Sequence, residues 1–127
     1  MQMRVFVILF VILAGLMGAG GVVLAAASAH LAPGTSLDSA ANMLLFHALA
    51  LLGGALALQQ GLLWRPLGMA ALYGFALGAV LFSGDIALRT LAGHRLFPMA
   101  APSGGTLLIA AWLALAGAAA VALSQRA

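Results

Sequence analysis

The sequence contains no cysteine, no lysine and no glutamate. Without cysteine there are no disulfides, zinc–thiolate centres or thiol nucleophiles, and the redox compartment stays open. Without lysine, every fixed positive charge is an arginine: Arg4, Arg65, Arg89, Arg95 and Arg126. These are scattered, which excludes the clustered basic face of a nucleic-acid binder. Asp38 and Asp85 are the only side-chain carboxylates. Charged residues are 6% of the chain, against roughly 25% in a soluble domain. So few charges do not cover a water-facing surface. What is abundant is apolar: 65% hydrophobic residues and a mean hydropathy of +1.20. Lipid is the environment that such a chain suits. No phosphate loop, dinucleotide fingerprint or haem-attachment pair is present.

The few charges divide the chain into four apolar stretches, and a spanning helix needs about 20 residues. Each stretch holds one helix. The breaks between them carry turn residues: Ala32-Pro33-Gly34, Gly61 to Pro66, and Gly93 to Gly105 with Pro98 and Pro102. Pro66 and Pro102 suit a first helical turn, where a missing N–H costs little. The predicted fold is all-α, a single four-span membrane bundle with short loops. Its spans are about residues 4–30, 38–59, 66–91 and 102–123. Ser36 and Asp38 read as helix-start residues for the second span.

The run Leu24 to Gly34, LAAASAHLAPG, looks at first like a signal-peptidase site. Val5 to Ala29 is uncharged throughout, however, well beyond the roughly 7–15 residues of a signal-peptide core. The run is therefore expected to be the end of a membrane helix. Arg4, Arg65 and Arg126 fall on one side of the four-span arrangement, and Arg89 and Arg95 on the other. The excess places both termini in the cytoplasm by the positive-inside rule.

Membrane helices associate through small residues that let backbones approach. Ala70, Gly74 and Gly78 form one candidate stripe, Gly21, Ala25 and Ala29 a second, and Ala110, Ala114, Ala118 and Ala122 a third. Gly104 and Gly105 open the fourth span. Bundle packing is the expected use of these residues, with homo-oligomer contacts or a cofactor groove as the alternative.

Polar residues inside a bilayer are costly, so their placement is informative. At 1.5 Å per residue, His47 lies about 13 Å into the second span, and Ser83 and Asp85 lie about 25–29 Å along the third. His30, Asn42, His47, Ser83, Asp85, Ser103 and Thr106 then all fall in the non-cytoplasmic half. The cytoplasmic half is almost bare of polar groups. His47 is expected to hydrogen-bond a nearby carbonyl or Ser83, with a ligand, proton or metal role as the alternative. Asp85 and Arg89 are spaced for an ion pair on one helix face. Ser83, His47 and Asp85 supply the residue types of a catalytic triad, but Ser83 and Asp85 are two residues apart and face different sides of a helix. His30, His47 and Asp85 would be the donor set if a metal were bound. Neither enzyme chemistry nor a metal is expected.

Four short motifs carry a family resemblance: SAHLA at Ser28–Ala32, FHALALL at Phe46–Leu52, LFSGD at Leu81–Asp85 and PSGG at Pro102–Gly105. In order and spacing the chain resembles the domain-of-unknown-function 423 family, also described as transmembrane protein 256-like. The resemblance implies a small four-helix protein of bacterial inner membranes. It carries over His30, His47, Ser83, Pro102, Gly104 and Gly105 as the recurrent positions. The chain departs from the family pattern at Asn42 and Met43, where Tyr-Gln is usual, and at Asp85, where Ser is usual. Ala87 stands near an expected aromatic, and Ala101 replaces a Thr.

The resulting expectation is a non-enzymatic inner-membrane protein with a polar pocket in its outer half. The pocket would take a lipid headgroup, a quinone-like molecule or a partner helix. The second expectation is an accessory subunit of a larger respiratory or photosynthetic complex. A small transporter is the third, weakened by the bare cytoplasmic half, because a path must cross both halves. Bound lipid or quinone is the only cofactor-like species expected, and membrane lipid the constant partner.

Overall fold

A computed structural model describes all 127 residues. It contains four helices: α1 (Gln2–His30), α2 (Leu37–Gln59), α3 (Arg65–Ala92) and α4 (Ala100–Arg126). Each is long and apolar enough to cross a membrane, with best-window mean hydropathies of 2.7, 1.8, 1.7 and 2.2. In hydrocarbon every backbone N–H and C=O must be satisfied within the segment, and an unbroken helix does this. The prolines respect that demand. Pro66 and Pro102 lie in first turns, while Pro33 and Pro98 lie in loops. Gly61 and Gly93 take left-handed backbone angles, φ 73° and 79°, where the chain turns out of α2 and α3. Ser36 stands at the N-cap of α2, but its hydroxyl makes no cap bond. Thr35 Oγ1 accepts from the Leu37 N–H instead, at 3.4 Å.

Short loops make successive helices antiparallel. One end of the molecule carries both termini and the α2–α3 turn. The other, distal end carries the α1–α2 and α3–α4 loops. The packed pairs are α1 with α2, α2 with α3, and α3 with α4, while α1 and α4 share no extensive interface. The bundle is thus two antiparallel hairpins joined through α2 and α3. Phe10, Met17, Leu51, Leu72, Phe75 and Leu108 fill its main core. A smaller cluster of Leu37, Ala40, Ile86 and Ala101 lies at the distal end. Trp64 N–H donates to the Ala118 carbonyl at 2.8 Å. Arg126 Nη2 donates to the Gly61 carbonyl at 2.6 Å, so the α2–α3 turn is pinned to α4.

Small residues set the tightest interfaces, though not along every expected stripe. A Cβ on Gly104 would sit 2.6 Å from the Phe82 nitrogen and 2.7 Å from the Gly78 oxygen. A Cβ on Gly74 would sit 2.7 Å from the Ala111 Cβ, and one on Gly21 2.6 Å from Leu45 Cγ. Gly105 is roomier, with Phe82 at 3.7 Å. Ala25 is half-buried, and Ala29 and Ala70 are exposed. On α4 the buried row is Gly104, Leu108, Ala111, Ala118 and Ala122, and Ala110 faces outward. The expected row stepped by four throughout. Each such step drifts about 40° around a helix with 3.6 residues per turn, so it leaves the contact face.

The Gly104 contact is to backbone, which cannot swing away as a side chain can. Gly104→Ala is expected to destabilise the folded protein by about 1–3 kcal/mol, the usual cost of overpacking. Gly53, which has nothing within 4 Å of an added Cβ, is the control: Gly53→Ala should cost nothing. Denaturation with a graded mole fraction of SDS measures both.

Candidate functional site

The seven polar residues expected to share a pocket do not line a single cavity. Three of them, His47, Ser83 and Asp85, are buried, and each is already bonded to a different part of the fold.

His47 lies about 15 Å into α2, near the bilayer midplane. Its Nδ1 is 2.6 Å from the Met43 carbonyl, one turn back on the same helix. Its Nε2 is 3.1 Å from the Trp112 indole nitrogen of α4. A carbonyl only accepts and an indole N–H only donates. The imidazole is therefore the tautomer with the proton on Nδ1, and both ring nitrogens are satisfied. Phe75 completes the cluster, with ring centroids 4.8 Å from Trp112 and 5.9 Å from His47. Trp112 is the residue that sequence reasoning missed. An indole deep in a membrane helix needs an acceptor for its N–H, and that was the available signal.

Ser83 Oγ donates to the Ala40 carbonyl at 2.7 Å, joining α3 to the start of α2. Asp85 Oδ1 accepts the Leu96 N–H at 3.0 Å, which ties down the α3–α4 loop. Asp85 Oδ2 is 3.4 Å from Arg89 Nε, the ion pair expected from their spacing. Asn42 donates to Asp38 at 3.4 Å on the exposed start of α2. Thr106 donates to the Pro102 carbonyl at 2.9 Å. His30, Asn42, Ser103 and Thr106 are all exposed. His30, His47 and Asp85 are not gathered into a metal-binding group. No buried side-chain nitrogen or oxygen is left without a partner.

A charged opening lies at the distal surface. A recess of about 340 Å³ between the end of α3 and the α3–α4 loop is lined by Phe82, Asp85, Arg89, Arg95, Met99 and Pro102, among others. Its formal charge is two arginines less one aspartate, or +1. Arg89 commits only Nε to Asp85. Its two Nη groups, and the whole Arg95 guanidinium, donate to no protein acceptor. Arg95, on the α3–α4 loop, belongs to this site. The path of the loop, held by Asp85, brings it there.

A family model described as "Protein of unknown function (DUF423)" matches residues 17–105. The chain belongs to this family. The DUF423 match takes in His30, His47, Ser83, Asp85 and Arg95, and stops short of Trp112. UPF0382 inner membrane protein YgdD of Escherichia coli (strain K12) is 41% identical to the chain over 75 residues, 58% of this chain. The protein of the same name from Shigella flexneri gives the same figures. The match spans about half the length of these curated relatives, 55% of each. No solved structure matches the chain.

The His47–Trp112 bond bears on stability, and its removal is measurable. Trp112→Phe keeps a ring against Phe75 and removes the N–H. It should cost about 0.6 kcal/mol, the mean for hydrogen bonds between membrane helices, and no more than about 1.7 kcal/mol. In a double-mutant cycle with His47→Leu, a coupling energy of zero would show that the bond contributes nothing.

Proposed function

We propose that this DUF423 member is a non-enzymatic inner-membrane protein that binds a phosphate-bearing lipid headgroup at its distal end. One observation carries the reading. The unpaired donors of Arg89 and Arg95 line a single recess at the end of a spanning helix, where headgroups lie. Arginine presents a planar fork of N–H donors that matches phosphate oxygens. The recess charge of +1 is met by one phosphodiester. Asp85 holds the loop that carries Arg95, and so positions that side of the recess.

The quinone and partner-helix versions of the pocket lose support, because His47 and Ser83 are already bonded internally. The subunit reading draws on a separate observation. The bundle is unclosed, and large apolar side chains such as Leu16, Val22, Leu113 and Leu123 face outward from α1 and α4. Lipid alone satisfies those faces, so headgroup binding stands first.

Arg89→Gln with Arg95→Gln is expected to reduce retention of anionic lipid at least threefold in native mass spectrometry from mild detergent, with zwitterionic lipid unchanged. Equal retention by the variant would refute the reading. Reproducible co-purifying protein chains at fixed stoichiometry would favour the subunit.

The proposed orientation puts the recess outside the cytoplasm. The cysteine-free chain makes this simple to test. Thr35→Cys should react with a membrane-impermeant maleimide in spheroplasts, and Ser124→Cys only after lysis. The reverse pattern would place the recess in the cytoplasm.

A further inference from the structure

The recess does not stand alone. A second, larger groove of about 530 Å³ runs between α3 and α4 and is lined by Leu81, Met99, Pro102, Ser103, Thr106, Leu107 and Ala110. Met99 and Pro102 line both cavities, so the two are adjacent. Asp85 of the recess and Leu81 of the groove are one turn apart on the same face of α3. From Pro102 at the membrane surface to Ala110 the groove descends about 12 Å toward the bilayer centre. Its volume is within the roughly 300–1,000 Å³ of ligand pockets. Its two polar side chains, Ser103 and Thr106, lie in its upper part beside Met99 and Pro102, and Leu107 and Ala110 line its lower part. Met99, at the junction, is the one non-glycine residue with positive φ, at 68°. That conformation costs about 1–2 kcal/mol for a residue with a Cβ.

Resting on the headgroup reading above, we infer that recess and groove form one bipartite site for an anionic glycerophospholipid. The phosphodiester sits between Arg89 and Arg95, and one acyl chain lies along the α3–α4 groove. The charge step from recess to groove is what selects an amphiphile over a soluble anion. A free phosphate has no use for the groove, and a neutral apolar molecule has none for the arginines. A zwitterionic headgroup brings a cation into a recess that already carries +1, and is disfavoured.

The test uses the full chain in mild detergent with three probes: dioleoyl phosphatidylglycerol, dihexanoyl phosphatidylglycerol and inorganic phosphate. Bound adducts are counted by native mass spectrometry. Ala110 is exposed at the foot of the groove, so Ala110→Trp fills it without entering the core. Ile109→Trp, on an exposed position outside the groove, controls for bulk. The wild type should retain the long-chain lipid at least threefold better than the short-chain one. Ala110→Trp should abolish that difference and leave short-chain binding unchanged, with Ile109→Trp behaving as wild type. If Ala110→Trp retains long-chain lipid as well as wild type, the acyl-chain site is wrong while the arginine recess stands. If inorganic phosphate binds as tightly as the long-chain lipid, the site is for a soluble anion and the bipartite inference fails. If Arg89→Gln with Arg95→Gln changes none of the three probes, the headgroup reading falls, and this inference with it.

Discussion

The approach of Gly104 to Gly78 is the contact on which the distal half of the molecule depends. Lipid tails are as apolar as leucine, so burial alone does not press two membrane helices together. Close backbone contact does, through dispersion summed over many atoms. Because neither glycine has a Cβ, α3 and α4 meet backbone to backbone at this level. That fixes where α4 begins relative to α3, and hence how the intervening loop closes. The Asp85 carboxylate then finds the Leu96 amide. Arg95 follows one residue earlier in the chain and reaches the wall of the recess. A side chain at residue 104 would wedge the helices apart and undo each later step.

Polar groups in the apolar interior are used here as ties. Burying an unpaired donor or acceptor in hydrocarbon costs several kcal/mol by order of magnitude. The chain avoids this, since no fully buried side-chain nitrogen or oxygen is without a partner. His47 uses both nitrogens, Ser83 its hydroxyl and Asp85 both oxygens. The free donors at the recess are those of the exposed Arg89 and Arg95, at the surface where water and headgroups compete for them.

The four spans were legible because their ends are marked by arginine, proline and glycine. Arg65-Pro66 and Gly93 fall within a residue or two of the helix boundaries in the structure. The fate of the polar residues was not legible. Placing His47, Ser83 and Asp85 in one half of the membrane needs only counting along an axis. Deciding what they touch needs the rotation of each helix about that axis. Rotation is read from an amphipathic pattern, and helices apolar all round do not carry one. Ala110 and Ala111 illustrate the gap: neighbours of identical chemistry, one faces lipid and the other Gly74. The partner of Trp112 was hidden for the same reason, and the placement of Arg95 because a loop path is set by tertiary contacts.

The seam between the two hairpins carries a mechanical consequence. Apolar faces in lipid slide past one another with little penalty, since one methyl contact is replaced by another. Two side-chain hydrogen bonds cross the seam: Ser83 to the Ala40 carbonyl and Trp112 to His47. Their attachment points on α2 are separated by nearly two turns, about 10 Å. One bond would act as a pivot; two, spaced along the axis, index both translation and rotation. The hairpins are thus keyed like a shaft with two pins, and α2 neither ratchets nor swivels against α3 and α4 unless both shear together.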